Sequence, residues 1–112
     1  MSTDFNLVTE LHDKTLVLKT EGYINNTAGE QIVDEFSKHY SSGINKLIMD
    51  LEKSRVVNSI GVSCLIEIVE KLIQVNGKLI FTNLDPSIEK TFDLMGLFSF
   101  AEKADSVDSA LE

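Results

Sequence analysis

The sequence predicts an α/β fold: one domain over residues 1–112, with a mixed, mostly parallel sheet of four to five strands packed against about four helices. Three observations carry this. Two short β-leaning runs open the chain, parted only by His12 and Asp13. After them, compact apolar runs alternate with stretches of helical periodicity. Gly or Asp-Pro punctuation separates the units. A hairpin followed by βα units gives a mixed sheet covered by helices.

Residues 5–11 (FNLVTEL) and 14–22 (KTLVLKTEG) read as an antiparallel hairpin, with Leu16 and Leu18 on one face and Val17 on the other. Thr27 opens the first helix, and Thr27 with Glu30 has capping-box spacing. Ile32, Val33, Phe36 and Tyr40 follow as a helical stripe that ends at SSG, residues 41–43. Residues 46–51 (KLIMDL) form a nearly continuous apolar run, the pattern of a central strand covered on both faces.

From Gly61 the pattern is helical again. Leu65, Ile68, Val69 and Leu72 make the apolar face, with Glu67, Glu70, Lys71 and Gln74 opposite. Gly77 is expected as a left-handed C-cap. Residues 78–84 (KLIFTNL) are the next strand. Asp85–Pro86 is a cap followed by proline in the first turn, and Ile88, Phe92 and Met95 are the expected buried face before Gly96. Residues 98–102 suggest a short edge strand and residues 105–112 a last capped helix; Leu97 and Phe98 are assigned to the core.

Composition narrows the function. Hydrophobic residues make up 43% and charged residues 25%, as in an ordinary globular protein. The net charge of −8 argues against nucleic acid and anionic membranes as partners, and favours partners that present basic residues. A single cysteine, Cys64, excludes an internal disulfide framework and suits a reducing, cytoplasmic setting. The opening MSTDFN lacks the basic-then-apolar order of a signal peptide, and no apolar run reaches membrane-spanning length.

Catalytic constellations are absent from the pattern. His12, His39 and Cys64 share no metal-ligand spacing, and the glycines never cluster into a phosphate loop. Asp34–Glu35 and Glu67/Glu70 fall on expected solvent faces. Ser59 lies outside any G-x-S-x-G elbow. It stands in VVNSIGV at the mouth of the second helix, where either Asn58 or Ser59 can serve as the N-cap. A hydroxyl there lies close to free amides and in positive dipole potential. A phosphate added to it is tolerated by its own domain, yet places about two negative charges on the surface. That suits a switch better than a nucleophile without a base.

The element order and the stretch 46–68 (KLIMDLEKSRVVNSIGVSCLIEI) resemble the bacterial anti-sigma factor antagonists, the STAS domains. The family's Asp-Leu, spacer, Asp-Ser-Ser/Ala-Gly pattern corresponds to Asp50–Leu51 and Asn58–Ser59–Ile60–Gly61. Residues 22–30 (GYINNTAGE) loosely match its Gly-x-Leu-Asp segment, and residues 88–111 its usual ending. The resemblance implies a STAS-like fold and a non-catalytic protein that binds an anti-sigma factor, itself a serine kinase, and so frees a sigma factor. It implies that the kinase phosphorylates Ser59 and that a PP2C-type phosphatase reverses this; the lack of any nucleotide motif in the sequence predicts no required cofactor. The implied partner surface comprises Asn25, Asn26, Thr27, Asn58, Ser59, Ile60, Gly61 and Val62. Three departures stand out: Asn58 replaces the family's acid, Ile60 its small residue, and the Gly-x-Leu-Asp acid is replaced around Asn25. A rival expectation is an unphosphorylated STAS scaffold, or an accessory subunit of a sensory or transport complex, with Ser59 only a cap. A small enzyme using the acidic helix faces is a third.

Overall fold

The computed structural model describes residues 5–112. The reading of the first residues as lacking a leader falls mostly outside that range. Five strands, β1 (Asn6–His12), β2 (Thr15–Glu21), β3 (Lys46–Lys53), β4 (Lys78–Thr82) and β5 (Glu102–Ala104), lie in chain order across one sheet. β1 and β2 pair antiparallel; the other pairs are parallel. The helices α1 (Asn26–Tyr40), α2 (Ser59–Gln74) and α3 (Pro86–Leu94) are the crossovers, and α4 (Val107–Leu111) ends the chain.

A sheet wound steadily in one direction, with crossovers of one hand, puts every crossover on the same face. Ile32 and Phe36 of α1, Leu65 and Ile68 of α2, and Ile88 and Phe92 of α3 accordingly share one core with Leu16, Leu18, Leu47, Met49 and Phe81. Phe81 and Phe92 sit 4.9 Å apart between ring centres, and Phe98 packs edge-on to Phe81. The opposite face is covered by α4, whose Ala110 packs with Val17, Ile48 and Ile80. β3 is therefore central and covered on both sides, as its apolar run predicts.

Several local expectations are corrected. Asn25, not Thr27, caps α1: its side chain accepts from the Ala28 amide at 3.0 Å. Thr27 lies inside the first turn, so the Thr27–Glu30 box does not form. Asn76, not Gly77, takes the left-handed conformation, with φ of 57°. Gly77 is needed for space instead, because a Cβ there would lie 2.1 Å from the Asn45 carbonyl oxygen. The 98–102 strand is displaced: Leu97–Ser99 form a 3-10 turn, and β5 starts at Glu102. Met95 is exposed beyond the end of α3, while Leu97 is buried and Phe98 half-buried against the core. His12 closes β1 rather than lying in the turn.

Glu35 is also half-buried rather than solvated. Thr9 Oγ1 donates to its Oε2 at 2.9 Å, and this bond, aided by His39 and Lys38, holds the carboxyl below its ordinary value against the effect of burial. A depressed carboxyl stabilises the fold above its unfolded value near 4.5, and that contribution is lost as the pH falls through the folded value. Glu35→Gln should therefore flatten the loss of stability with acid below about pH 4.5, read by urea melts across pH. An unchanged acid slope would assign that loss to other carboxylates.

On the α4 side of the sheet, Asp50 and Thr82 are paired in register between β3 and β4. Asp50 is nearly buried; its Oδ1 accepts from the Glu52 amide at 3.1 Å and from Asn83 Nδ2 at 3.0 Å. Thr82 is fully buried, and its Oγ1 has no partner among the described residues. An unpaired buried hydroxyl costs about 1–3 kcal/mol, so Thr82→Val should raise stability by about 1 kcal/mol in a denaturant melt. Destabilisation would mean that the hydroxyl is satisfied in solution.

Candidate functional site

β2 and β3 run on past their ends. The Gly22 amide donates to the Lys53 carbonyl at 3.0 Å, the Ile24 amide to Val56 at 2.9 Å, and the Asn58 amide back to Ile24 at 3.1 Å. Ile24 and Val57 form a parallel bridge. Beneath this seam Thr20 Oγ1 and Ser54 Oγ, both buried, are hydrogen-bonded at 2.7 Å. The two segments thus reach the carboxyl ends of their strands side by side, and each then turns into a helix. Open α/β sheets place their binding sites at this end.

The two turns match. Asn25 and Asn58 are both extended N-caps with φ of −101°, and the Asn58 side chain accepts from the Gly61 amide at 2.7 Å. Neither helix has an acid in its first turn. Their positive ends are therefore adjacent and not neutralised locally. Small residues permit the closeness: a Cβ on Gly29 would lie 2.6 Å from Cys64 Sγ and 3.6 Å from Gly61 Cα, and one on Gly61 would lie 2.5 Å from the Ile24 carbonyl oxygen.

Of the two candidate caps, Asn58 takes the role. Ser59 is the first residue of α2, exposed, and its Oγ makes no hydrogen bond among the described residues. The cap uses the Gly61 amide and leaves those of Ser59 and Ile60 as the helix's outward donors. Asn58→Ala should cost about 1 kcal/mol, the usual worth of an N-cap, with Ser59→Ala close to neutral in the same thermal melts. The reverse order would make Ser59 the cap.

The expected site residues separate into two layers. Asn26, Thr27, Ser59 and Ile60 are exposed, and Asn25 and Asn58 half-exposed beside them. Gly61 and Val62 are buried, so they underlie this surface rather than form it; the glycine lies against Ile24 and Val62 belongs to the core. Tyr23 and Val56 were not anticipated. They are exposed and sit in register just before the Ile24–Val57 bridge. The parallel pairing turns Val57 inward and leaves Val56 out.

The remaining reactive groups lie apart. Cys64 is half-buried against Gly29; burial, with the carboxylates of Glu67 and Glu30, pushes its thiol up and disfavours the thiolate. His12 pairs with Glu10 and His39 with Glu35. Among the described residues no group of three His, Cys, Asp or Glu side chains could hold a metal, and no helix is long and apolar enough to cross a membrane.

Known proteins share this fold. The chain is 26% identical over 98 residues to the Bordetella bronchiseptica protein named "Putative anti-sigma factor antagonist BtrV", covering 88% of this chain and 84% of that one. An anti-sigma factor antagonist from Mycobacterium paratuberculosis superposes with a TM-score of 0.84 at 21% identity, over 99% of this chain and 94% of that one. The Bacillus cell fate determinant SpoIIAA in its phosphorylated form gives 0.77 at 24% identity, over 95% and 96%. At these identities the two structures speak for the fold. The family model described as the STAS domain matches residues 6–110, and the chain belongs to that family.

Proposed function

We propose that this chain is an anti-sigma factor antagonist: a non-catalytic switch that binds an anti-sigma factor with serine-kinase activity and is governed by reversible phosphorylation of Ser59. The observation that carries the reading is the exposed, unbonded Ser59 hydroxyl, relieved of capping by Asn58 and set on two adjacent helix N-termini that lack acids. The name borne by the Bordetella bronchiseptica relative supports the antagonist role.

In the bound state the partner covers the exposed parts of Asn25–Thr27 and Asn58–Ile60. Phosphorylation joins Ser59 Oγ to the γ-phosphorus of ATP, breaks the bond to the ADP leaving group and passes the hydroxyl proton to a base on the kinase. The phosphate is stable on its own domain because the helix ends offer amides and positive potential. It is intolerable to the partner because roughly two charges now occupy the contact. A PP2C-type phosphatase restores the hydroxyl by hydrolysis. The work is done in the cytoplasm, with neither nucleic acid nor membrane as partner.

The test is intact mass spectrometry after incubation with ATP and a purified anti-sigma factor kinase from the same genome, with fragmentation to map the site. One phosphate on Ser59 is the expected result. No modification, with a control antagonist labelled by its own kinase in parallel, would instead favour a constitutive scaffold or accessory subunit.

A further inference from the structure

The surface around Ser59 is built from two uncharged stretches. The protein has 10 basic and 18 acidic residues, yet residues 22–29 and 56–66 contain none of either. These are the two stretches that the backbone seam brings side by side. Tyr23, Val56 and Ile60 are 43%, 55% and 53% exposed there, large apolar groups left in water. Beside Asn25 the described residues that line a recess of about 410 Å³ are uncharged, Phe5, Tyr23, Asn25, Thr27 and Gln31 among them. Recesses elsewhere are different: that between α3 and β5 holds Glu89, Lys103 and Asp105, and that across β1–β3 holds Lys19, Asp50 and Lys53.

We infer that the docking face of the partner is itself uncharged, an apolar hollow edged by amide and hydroxyl groups, and that Ile60 is the anchor seated in it. The inference rests on the proposed function and specifies its partner. A lysine or arginine pressed against this surface would lose its hydration with no counter-charge to meet, which is costly. A neutral apolar face loses little and gains the burial of Tyr23, Val56 and Ile60. The centres of interfaces are depleted in charge for this reason. The basic partner suggested by the net charge of −8 is thus not what this surface would select. Neutrality also sharpens the switch, since a phosphate on Ser59 would find no cation across the contact to pair with.

The experiment is titration calorimetry of the full chain with the same purified kinase at about 50 and about 500 mM NaCl, a range over which exposed ion pairs are strongly screened. Wild type and Ile60→Ala are compared, with Ser59 phosphorylation followed on each sample and sedimentation of the chain alone alongside. Ile60 is exposed, so the alanine variant should fold, and its thermal melt checks this. We expect affinity to change less than about three-fold with salt and Ile60→Ala to weaken it at least about ten-fold. Affinity falling more than about ten-fold with salt, with Ile60→Ala close to wild type, would overturn the inference; Ser59 still phosphorylated in those samples would leave the proposed function standing. Neither binding nor phosphorylation would remove both. A dimer of the chain alone that Ile60→Ala dissolves would assign the surface to a second copy instead.

Discussion

Ser59→Asp is expected to abolish partner binding, at least about a hundred-fold or about 3 kcal/mol, while Ser59→Ala binds like the unphosphorylated protein. The reason is local. Ser59 is exposed and its hydroxyl holds nothing among the described residues, so neither variant removes a stabilising contact there. Asn58 continues to cap α2 in both. A carboxylate at the first helical position even meets a favourable dipole, so Ser59→Asp should be as stable as wild type or slightly more so. Any lost affinity then reports on the interface rather than on the fold. Calorimetry against the kinase, paired with thermal melts, separates the two. Full binding by a folded Ser59→Asp would place the contact elsewhere and leave Ser59 without a switching role.

Gly61→Ala should cost about 2–3 kcal/mol and lower the melting temperature by roughly 10 °C. Helix propensity points the other way, since alanine is favoured over glycine inside a helix by about 1 kcal/mol. Space decides. The added Cβ would lie 2.5 Å from the Ile24 carbonyl oxygen, a backbone atom that accepts from the Asn58 amide and cannot rotate aside. α2 must therefore shift off the seam, disturbing the cap and the register of the two helix mouths. Gly29→Ala makes the useful contrast. Its Cβ would meet Cys64 Sγ at 2.6 Å, so adding Cys64→Ala should restore much of the loss. No side-chain substitution can relieve Gly61. Denaturant melts of the three variants would test this, and a stable Gly61→Ala would show that the seam is softer than its hydrogen bonds imply.

Much of the fold was legible because period and punctuation agree along the chain. Leu65, Ile68, Val69 and Leu72 repeat at helical spacing and are all buried; Leu47–Leu51, apolar but for Asp50, are covered on both faces. The misread points are where two residues compete for one local job. Thr27 had the right spacing for a cap, yet Asn25 stands where the chain leaves the Ile24–Val57 bridge, and pairing with Val56 and Asn58 fixes where the helix can start. Gly77 looked like the left-handed residue, yet Asn76 tolerates that conformation and the Asn45 carbonyl leaves room for nothing larger than Gly77.

The sequence by itself determined the α/β class, the order of the elements, the strands' buried faces and Ser59 as the residue to watch, because each follows from local periodicity and capping chemistry. The tertiary structure alone decided that the mouths of α1 and α2 lie side by side, that Asn58 relieves Ser59 of capping, and that Gly61 and Val62 lie beneath the surface while Tyr23 and Val56 join it. Those outcomes depend on hydrogen bonds between segments more than thirty residues apart, Ile24 with Val56 and Asn58 above all. Such pairings leave no period in either segment from which the contact could be read.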